Sequence, residues 1–169
     1  MFPLRLVALA FVPMALEARL AAAHDRALRA AGALEPAHDV FPLMQVTYPA
    51  AFLAMAAEAW TRGADANAVF MAGLIVFALA KWIKYWAMIT LGPRWSFRVL
   101  VLPGSPLITT GPYRFMRHPN YLGVMGEIGG MAVMAQAPIS GITSLLVFAA
   151  LIAMRIRVEE RALDRSASP

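Results

Sequence analysis

Five apolar blocks, separated by segments dense in arginine, proline and glycine, make up most of this chain. A helix that crosses a bilayer needs about 20 mostly apolar residues, because the hydrocarbon core is about 30 Å thick and each residue rises about 1.5 Å. The first block runs from Phe2 to about Leu20. The second, VFPLMQVTYPAAFLAMAAEAW, covers Val40 to Trp60, and Pro49 is expected to kink it without breaking it. The third, NAVFMAGLIVFALAKWIKYWAMI, covers Asn67 to Ile89. Its Trp82, Tyr85 and Trp86 suit an interfacial belt, with Lys81 and Lys84 snorkelling toward water. The fourth starts after Pro119 and ends near Ala137, and the fifth, GITSLLVFAALIAM, covers Gly141 to Met154. The few residues between them, around Pro138, predict a tight helical hairpin. The fifth block is short for a span, so it either tilts little or continues into the arginine-rich helix that follows. With 60% hydrophobic and 15% charged residues among 169, the chain is too apolar for a soluble domain. The expected fold is therefore all-α: one membrane domain over residues 1–169, with about five transmembrane helices. Residues 1–90 hold three spans, and 91–169 hold a cytoplasmic loop, the hairpin and a C-terminal cytoplasmic helix.

The formal net charge is +5, but the basic residues are spread between apolar blocks rather than gathered in a tail or interleaved with exposed aromatics. That pattern argues against a nucleic-acid partner and for a topological signal. Five spans put Arg19, Arg26, Arg29, Lys81, Lys84, Arg94, Arg98, Arg114, Arg117, Arg155, Arg157, Arg161 and Arg165 on one side, which is 13 of 15, and leave Arg5 and Arg62 opposite. By the positive-inside rule the crowded side faces the cytoplasm, of a bacterial inner membrane or a comparable one. The start MFPLRLVALAFVPMALEARLAAA has features of a signal peptide, but Arg5 lies inside the apolar run and Glu17 and Arg19 interrupt its end, so the reading favours a retained helix. The alanine-rich segment 21 to 37 reads as a helical extension. With no cysteine, disulfides and thiolate metal sites are excluded.

The longest piece between spans is GPRWSFRVLVLPGSPLITTGPYRFMRHPNY, residues 92 to 121. Proline or glycine every few residues prevents a long helix, VLVL suits a short extended run, and PGSP and TTGP are turn chemistry. Pro119 fits the first position of the fourth helix with His118 at or near its N-cap. That geometry aims the imidazole, Asn120 and unpaired backbone N–H groups into one place beside the positive end of the helix dipole, a seat for an anion or carboxylate. The plainer reading is a basic loop that orients the protein and touches anionic lipid.

Beyond the fifth block lies RIRVEERAL, residues 155 to 163. On a helix Arg155 and Glu159 share one face, and Arg157 and Glu160 another. They serve either as surface ion pairs or as one wall of a site shared with the loop. Glu127, inside the fourth block, is an ionisable group at membrane depth: a candidate functional residue, or one that reaches interfacial water or pairs with Arg117. Glycines 123, 126, 129 and 130 form a small-residue face that lets a helix or flat ligand approach closely.

GPYRFMRHPNYLG resembles the G-x-Y-x-x-x-R-H-P-x-Y-x-G signature of the isoprenylcysteine carboxyl methyltransferase family, and RIRVEERAL resembles that family's C-terminal R-x-x-x-E-E element. The two occur in the expected order with a helical hairpin between them. The resemblance is specific over residues 105 to 163, whereas residues 1 to 90 are similar to shorter bacterial members in hydropathy and in fragments such as GALEPAHDVFPLM. It implies an all-helical membrane enzyme whose loop and C-terminal helix enclose S-adenosylmethionine. The implied acceptor is lipophilic, prenylated or of the alkylpyrone type, and enters among membrane helices and lipid. Carried over, Ser105, Leu107, Ile108, Tyr113, His118, Pro119, Asn120, Tyr121, Glu159 and Glu160 would hold the cofactor. Arg155 would contact the acceptor, with Arg117 and Glu127 as further acceptor-side candidates, and His118, Arg155 and Glu159 would carry the chemistry. The family's eukaryotic members have a histidine where Ser105 stands. The resemblance implies no metal, and it carries no sign of oligomeric state.

These residue types suit methyl transfer. Glu159 can offset a sulfonium or amino charge, His118 with the helix N-terminus can hold the methionine carboxylate, and Arg155 can orient an acceptor carboxylate as a bidentate pair. A carboxylate acceptor needs no general base at pH 7, whereas an enol or phenol would give its proton to His118 or Glu159. The rival readings are an NADPH-dependent sterol-reductase-like enzyme, in which Arg94 and Arg98 would serve a phosphate, and a helical membrane subunit without activity.

Overall fold

A computed structural model describes residues 2–37 and 39–167, with side chains through residue 163. His38 and the side chain of Arg165, counted above among the basic residues of one side, lie outside what is described. The described residues form five α-helices and no sheet: α1 (Phe2–Ala30), α2 (Phe41–Thr61), α3 (Ala68–Leu91), α4 (Pro119–Met134) and α5 (Pro138–Ala167). Two short 3-10 turns, Gly92–Arg94 and Gly111–Arg114, punctuate the long loop. Leu34 and Val101 form a single antiparallel bridge, so the expected extended run pairs with the α1–α2 linker.

Helix ends follow local chemistry. Asn67 caps α3, its side-chain oxygen accepting from Val69 N and Phe70 N at 2.9 and 3.2 Å. Pro119 opens α4 with His118 at the N-cap, as the sequence predicts, but the imidazole makes no capping bond and points elsewhere. Glu58 of α2 caps α5 from outside, accepting from Ile139 N (3.2 Å), Ser140 N (2.7 Å) and the Ser140 hydroxyl (2.6 Å). The expected hairpin is there, and α5 runs unbroken for 30 residues from Pro138. The fifth apolar block therefore continues into the RIRVEERAL helix. Likewise α1 runs on past Leu20 to Ala30, where Gly32 at φ +87° closes it.

Three helices are long and apolar enough to cross a membrane: α1, α3 with the turn after it, and α5. Of the five expected spans, α2 and α4 fall below that combined length and hydropathy. α4 has 16 residues, about 24 Å of helix, short of the hydrocarbon core. α2 carries Pro42, Gln45, Pro49 and Glu58 within its apolar run.

α4 packs antiparallel on α3 in a register that its glycines set. A Cβ at Gly123 would lie 2.8 Å from Lys84 Cβ, one at Gly126 2.7 Å from Ala80 Cβ, and one at Gly130 2.6 Å from Phe77 N. The expected small-residue face thus admits a helix, except that Gly129 looks toward Leu145 of α5. Around this seam Phe52, Met55, Ile128, Met131, Met134 and Phe148 are fully buried, while Leu4, Val12, Ile75, Ile89 and Leu146 face outward, as membrane-facing side chains do.

Two lysines depart from expectation. Lys81 and Lys84 do not snorkel: their side chains turn inward, where Lys81 Nζ lies 2.7 Å and 3.1 Å from Glu17 and Glu127, and Lys84 Nζ 2.6 Å and 3.2 Å from the same carboxylates. Tyr48 of α2 also donates to Glu127. A buried charge without a partner is far costlier than a balanced pair, so two lysines facing two glutamates are drawn inward together. Both lysines leave the topological count, and Glu127 pairs with them rather than with Arg117.

Candidate functional site

The antiparallel packing brings the start of α2, the end of α3, the start of α4 and the polar end of α5 to one end of the bundle, and the long loop closes over them. Here Tyr121, one turn into α4, meets the R-x-x-x-E-E face of α5. Its hydroxyl donates to Glu159 Oε2 at 2.6 Å and accepts from Arg155 Nε at 3.0 Å. The His118 ring stacks on the Tyr121 ring with centroids 5.5 Å apart. His118 Nδ1 lies 3.8 Å from Glu159 Oε2, and its Nε2 lies 3.5 Å from Glu160 Oε1. The two motifs are thus in contact across 38 and 42 residues of sequence.

Arg155 does not pair with Glu159 along its own helix. It is buried, and its fork is spent on tertiary partners: Nη1 on Asp39 Oδ1 at 3.4 Å and Nη2 on the Phe97 carbonyl, besides Nε on Tyr121. Tyr113, in the second 3-10 turn, is partly buried; that burial and then the Glu159 charge push its hydroxyl well above the usual phenol range. Gly111 is required for this turn, because its φ of +57° is paired with a Cβ direction blocked by Thr90 of α3.

The remaining expected residues are placed differently. Pro119 is buried beneath the cluster. Asn120 turns away, its Oδ1 accepting from Trp95 Nε1 at 3.4 Å. Arg117 is 87% exposed and lies 3.8 Å from Glu160. Ser105 and Ile108 are half-buried and Leu107 is 69% exposed. Among the described residues no hydrogen bond joins that segment to the His118 cluster; Arg94 holds it through the Pro106 carbonyl at 2.7 Å. Glu127 sits in the separate buried charge cluster below.

Some parts of the site were not foreseen. Asp39 reaches Arg155 from the α1–α2 linker, and its only local signal is an N-cap-type residue just before a helix. Trp95, almost wholly buried, forms the floor of the loop. Its carbonyl lies 2.8 Å from His24 Nδ1 of the α1 extension; a carbonyl only accepts, so that nitrogen carries the proton. Ser96 donates to Asp25, and Arg98 reaches Glu35 at 2.7 Å. Burial opposes charge on Glu35, but hydrogen bonds from Arg98 and Arg29 outweigh it and hold the carboxyl below its usual range. The N-terminal third of the chain thus holds the loop in place.

Chemically, the cluster presents three carboxylates, Asp39, Glu159 and Glu160, with one buried guanidinium among them. Aromatic faces from Tyr121 and His118 lie alongside. Such a site favours a cation with an apolar body over a phosphate.

The uncharacterized protein YpbQ of Bacillus subtilis is 30% identical over 159 residues, covering 94% of this chain and 95% of that one. An uncharacterized protein of Haemophilus influenzae is 25% identical over 142 residues, 83% of each chain. Protein-S-isoprenylcysteine O-methyltransferase A of Arabidopsis thaliana is 33% identical over 95 residues, which is 55% of this chain and 48% of that protein. No solved structure matches. The profile of the isoprenylcysteine carboxyl methyltransferase family matches residues 71–165, a stretch that takes in both halves of the Tyr121–Glu159 contact, and the chain belongs to that family.

Proposed function

We propose that this chain is an S-adenosylmethionine-dependent O-methyltransferase, set in the membrane with its site toward the cytoplasm, that methylates an oxygen of a lipophilic acceptor. The observation that carries the reading is the Tyr121 hydroxyl held between Glu159 and Arg155, beside the His118 ring, in a family of membrane methyltransferases. The donor set suits the cofactor. Glu159 and Glu160 fit its cationic centres, Tyr113 and Tyr121 offer faces to its nucleoside, and His118 with the first N–H groups of α4 fits its carboxylate. When bound, S-adenosylmethionine supplies a methyl group activated for in-line attack by oxygen.

The charge balance favours a hydroxyl, such as a phenol or the enol of an alkylpyrone, over a carboxylate. A hydroxyl oxygen has two lone pairs; on Tyr121 one takes the Arg155 N–H, which leaves the other for an acceptor O–H. As the acceptor oxygen takes the methyl group, whose bond to the sulfonium sulfur would break to leave a neutral thioether, its proton would pass to Tyr121 Oη, whose own proton would move to Glu159 Oε2. No released acid accumulates at the reacting oxygen, which is what general-base catalysis requires.

Thermal unfolding of the purified protein tests the reading. At 100 times its Kd, S-adenosylmethionine is expected to add about 2.7 kcal/mol of stability, and NADPH none. Stabilisation by NADPH alone would assign the site to a reductase, and indifference to both would leave a non-enzymatic subunit.

A further inference from the structure

We infer that residues 114–117, the tip of the long loop between Tyr113 and His118, form a docking surface for anionic phospholipid. Phe115 and Met116 enter the headgroup layer, and the flanking Arg114 and Arg117 take its phosphates. Of the nine phenylalanines, eight are buried or half-buried. Phe115 is the exposed one, at 72%, and it lies in a loop rather than on a membrane-facing helix. Met116 beside it is 40% exposed. Neighbouring apolar side chains held open on an irregular, basic segment are poorly suited to water, whereas the boundary between headgroups and acyl chains accepts them.

The backbone fixes where this tip stands. Gly111 packs against Thr90 in the last turn of α3, so closely that a Cβ there would collide with the Thr90 side chain. Phe115 N and Met116 N both donate to the carbonyl of buried Pro112, at 3.1 and 3.2 Å. α3 is one of the helices able to cross a membrane, and Trp82 and Ile89 toward its end are 61% and 80% exposed. The tip is therefore carried at the end of a span, at the depth where hydrocarbon gives way to headgroups. Its charge selects the lipid. From Gly92 to Gly126 the chain has four arginines and no acidic residue. Arg114 is exposed, with no ion pair among the described residues, and Arg117 is 87% exposed, with Glu160 no nearer than 3.8 Å. A guanidinium offers a phosphate two parallel N–H bonds, and an anionic leaflet favours each basic residue at its surface by about fivefold in population. Tyr113 and His118 bound the segment in sequence, so a docked tip sets their cluster beside the bilayer surface.

The chain has no cysteine, so Phe115→Cys labelled with the environment-sensitive fluorophore NBD reports on the tip alone. Met116→Cys supplies a second position for the label should the first variant fold poorly. The full-length protein is placed in nanodiscs of phosphatidylcholine, or of phosphatidylcholine mixed with phosphatidylglycerol, and quenched by nitroxide-bearing lipid or by aqueous iodide. In the mixed discs the label is expected to be quenched by the lipid nitroxide and shielded from iodide. Leaving out phosphatidylglycerol is expected to lower the docked population by about fivefold or more. Arg114→Gln with Arg117→Gln is expected to abolish that difference between the two lipids. Ready quenching by iodide in the mixed discs puts the tip in water and overturns the inference. Shielding from both quenchers puts protein over the tip and overturns it as well. So does lipid quenching that is equal in the two discs, or a lipid dependence that survives loss of both arginines, since phosphate would then play no part. No readout needs S-adenosylmethionine or turnover, so failure here is distinct from failure of the methyltransferase reading.

Discussion

Glu159 is held by Tyr121 and approached by His118, and it is the carboxylate most central to the proposed cation site. Exchange to glutamine keeps its size and its ability to accept from Tyr121 while removing the charge. A hydrogen bond to a charged group contributes about 1.5–3 kcal/mol, so Glu159→Gln is expected to raise the dissociation constant for S-adenosylmethionine by about tenfold or more, read by calorimetric titration, with the unfolding temperature of the unliganded protein little changed. Unaltered affinity would remove Glu159 from the site. The R-H-P-x-Y and R-x-x-x-E-E residue types were legible in the chain, because a local pattern names which atoms are on offer. Their pairing was less so. Helical spacing suggests Arg155 with Glu159, yet Arg155 takes Asp39 instead, since a buried guanidinium is satisfied by whatever acceptors the tertiary packing places around its fork.

Among the helices, the α3–α4 seam decides how the polar end is assembled. A Cβ at Gly130 would meet backbone, Phe77 N at 2.6 Å and Cα at 2.8 Å, whereas one at Gly129 would meet only Leu145 Cδ2 at 4.0 Å. Gly130→Ala is therefore expected to destabilise by about 1–3 kcal/mol, the range for overpacking a close contact. Gly129→Ala is expected to be neutral or slightly stabilising through helix propensity. Equilibrium unfolding of the two variants side by side checks this; equal effects would refute the α3–α4 register. Helix starts were readable at Asn67 and Pro119, where capping and proline geometry act within a few residues. The reach of α1 to Ala30 and of α5 to Ala167 was less sharply marked, because an apolar block ends where hydropathy falls while a helix ends where its hydrogen bonds do.

Across the whole molecule, the Glu17, Lys81, Lys84 and Glu127 cluster ties α1, α3 and α4 together below the site. Replacing Lys84 alone by methionine leaves an excess buried carboxylate, and such a broken pair costs about 3–5 kcal/mol. The double change Lys84→Met with Glu127→Gln leaves Glu17 on Lys81 at 2.7 Å and is expected to recover most of that loss in a thermal or denaturant unfolding series. Additive losses would mean that the four charges do not act as one network. Composition and apolar blocks were enough to foresee an all-helical chain with membrane-crossing helices, since hydrophobic length is a property of contiguous residues. The family motifs likewise lie in short stretches. The inward turn of both lysines, the capture of Arg155 by Asp39 and the anchoring of the loop by α1 emerge only when distant segments meet. Desolvation makes a charge seek its complement, and which complement lies within reach is settled by the packing of helices rather than by neighbours along the chain.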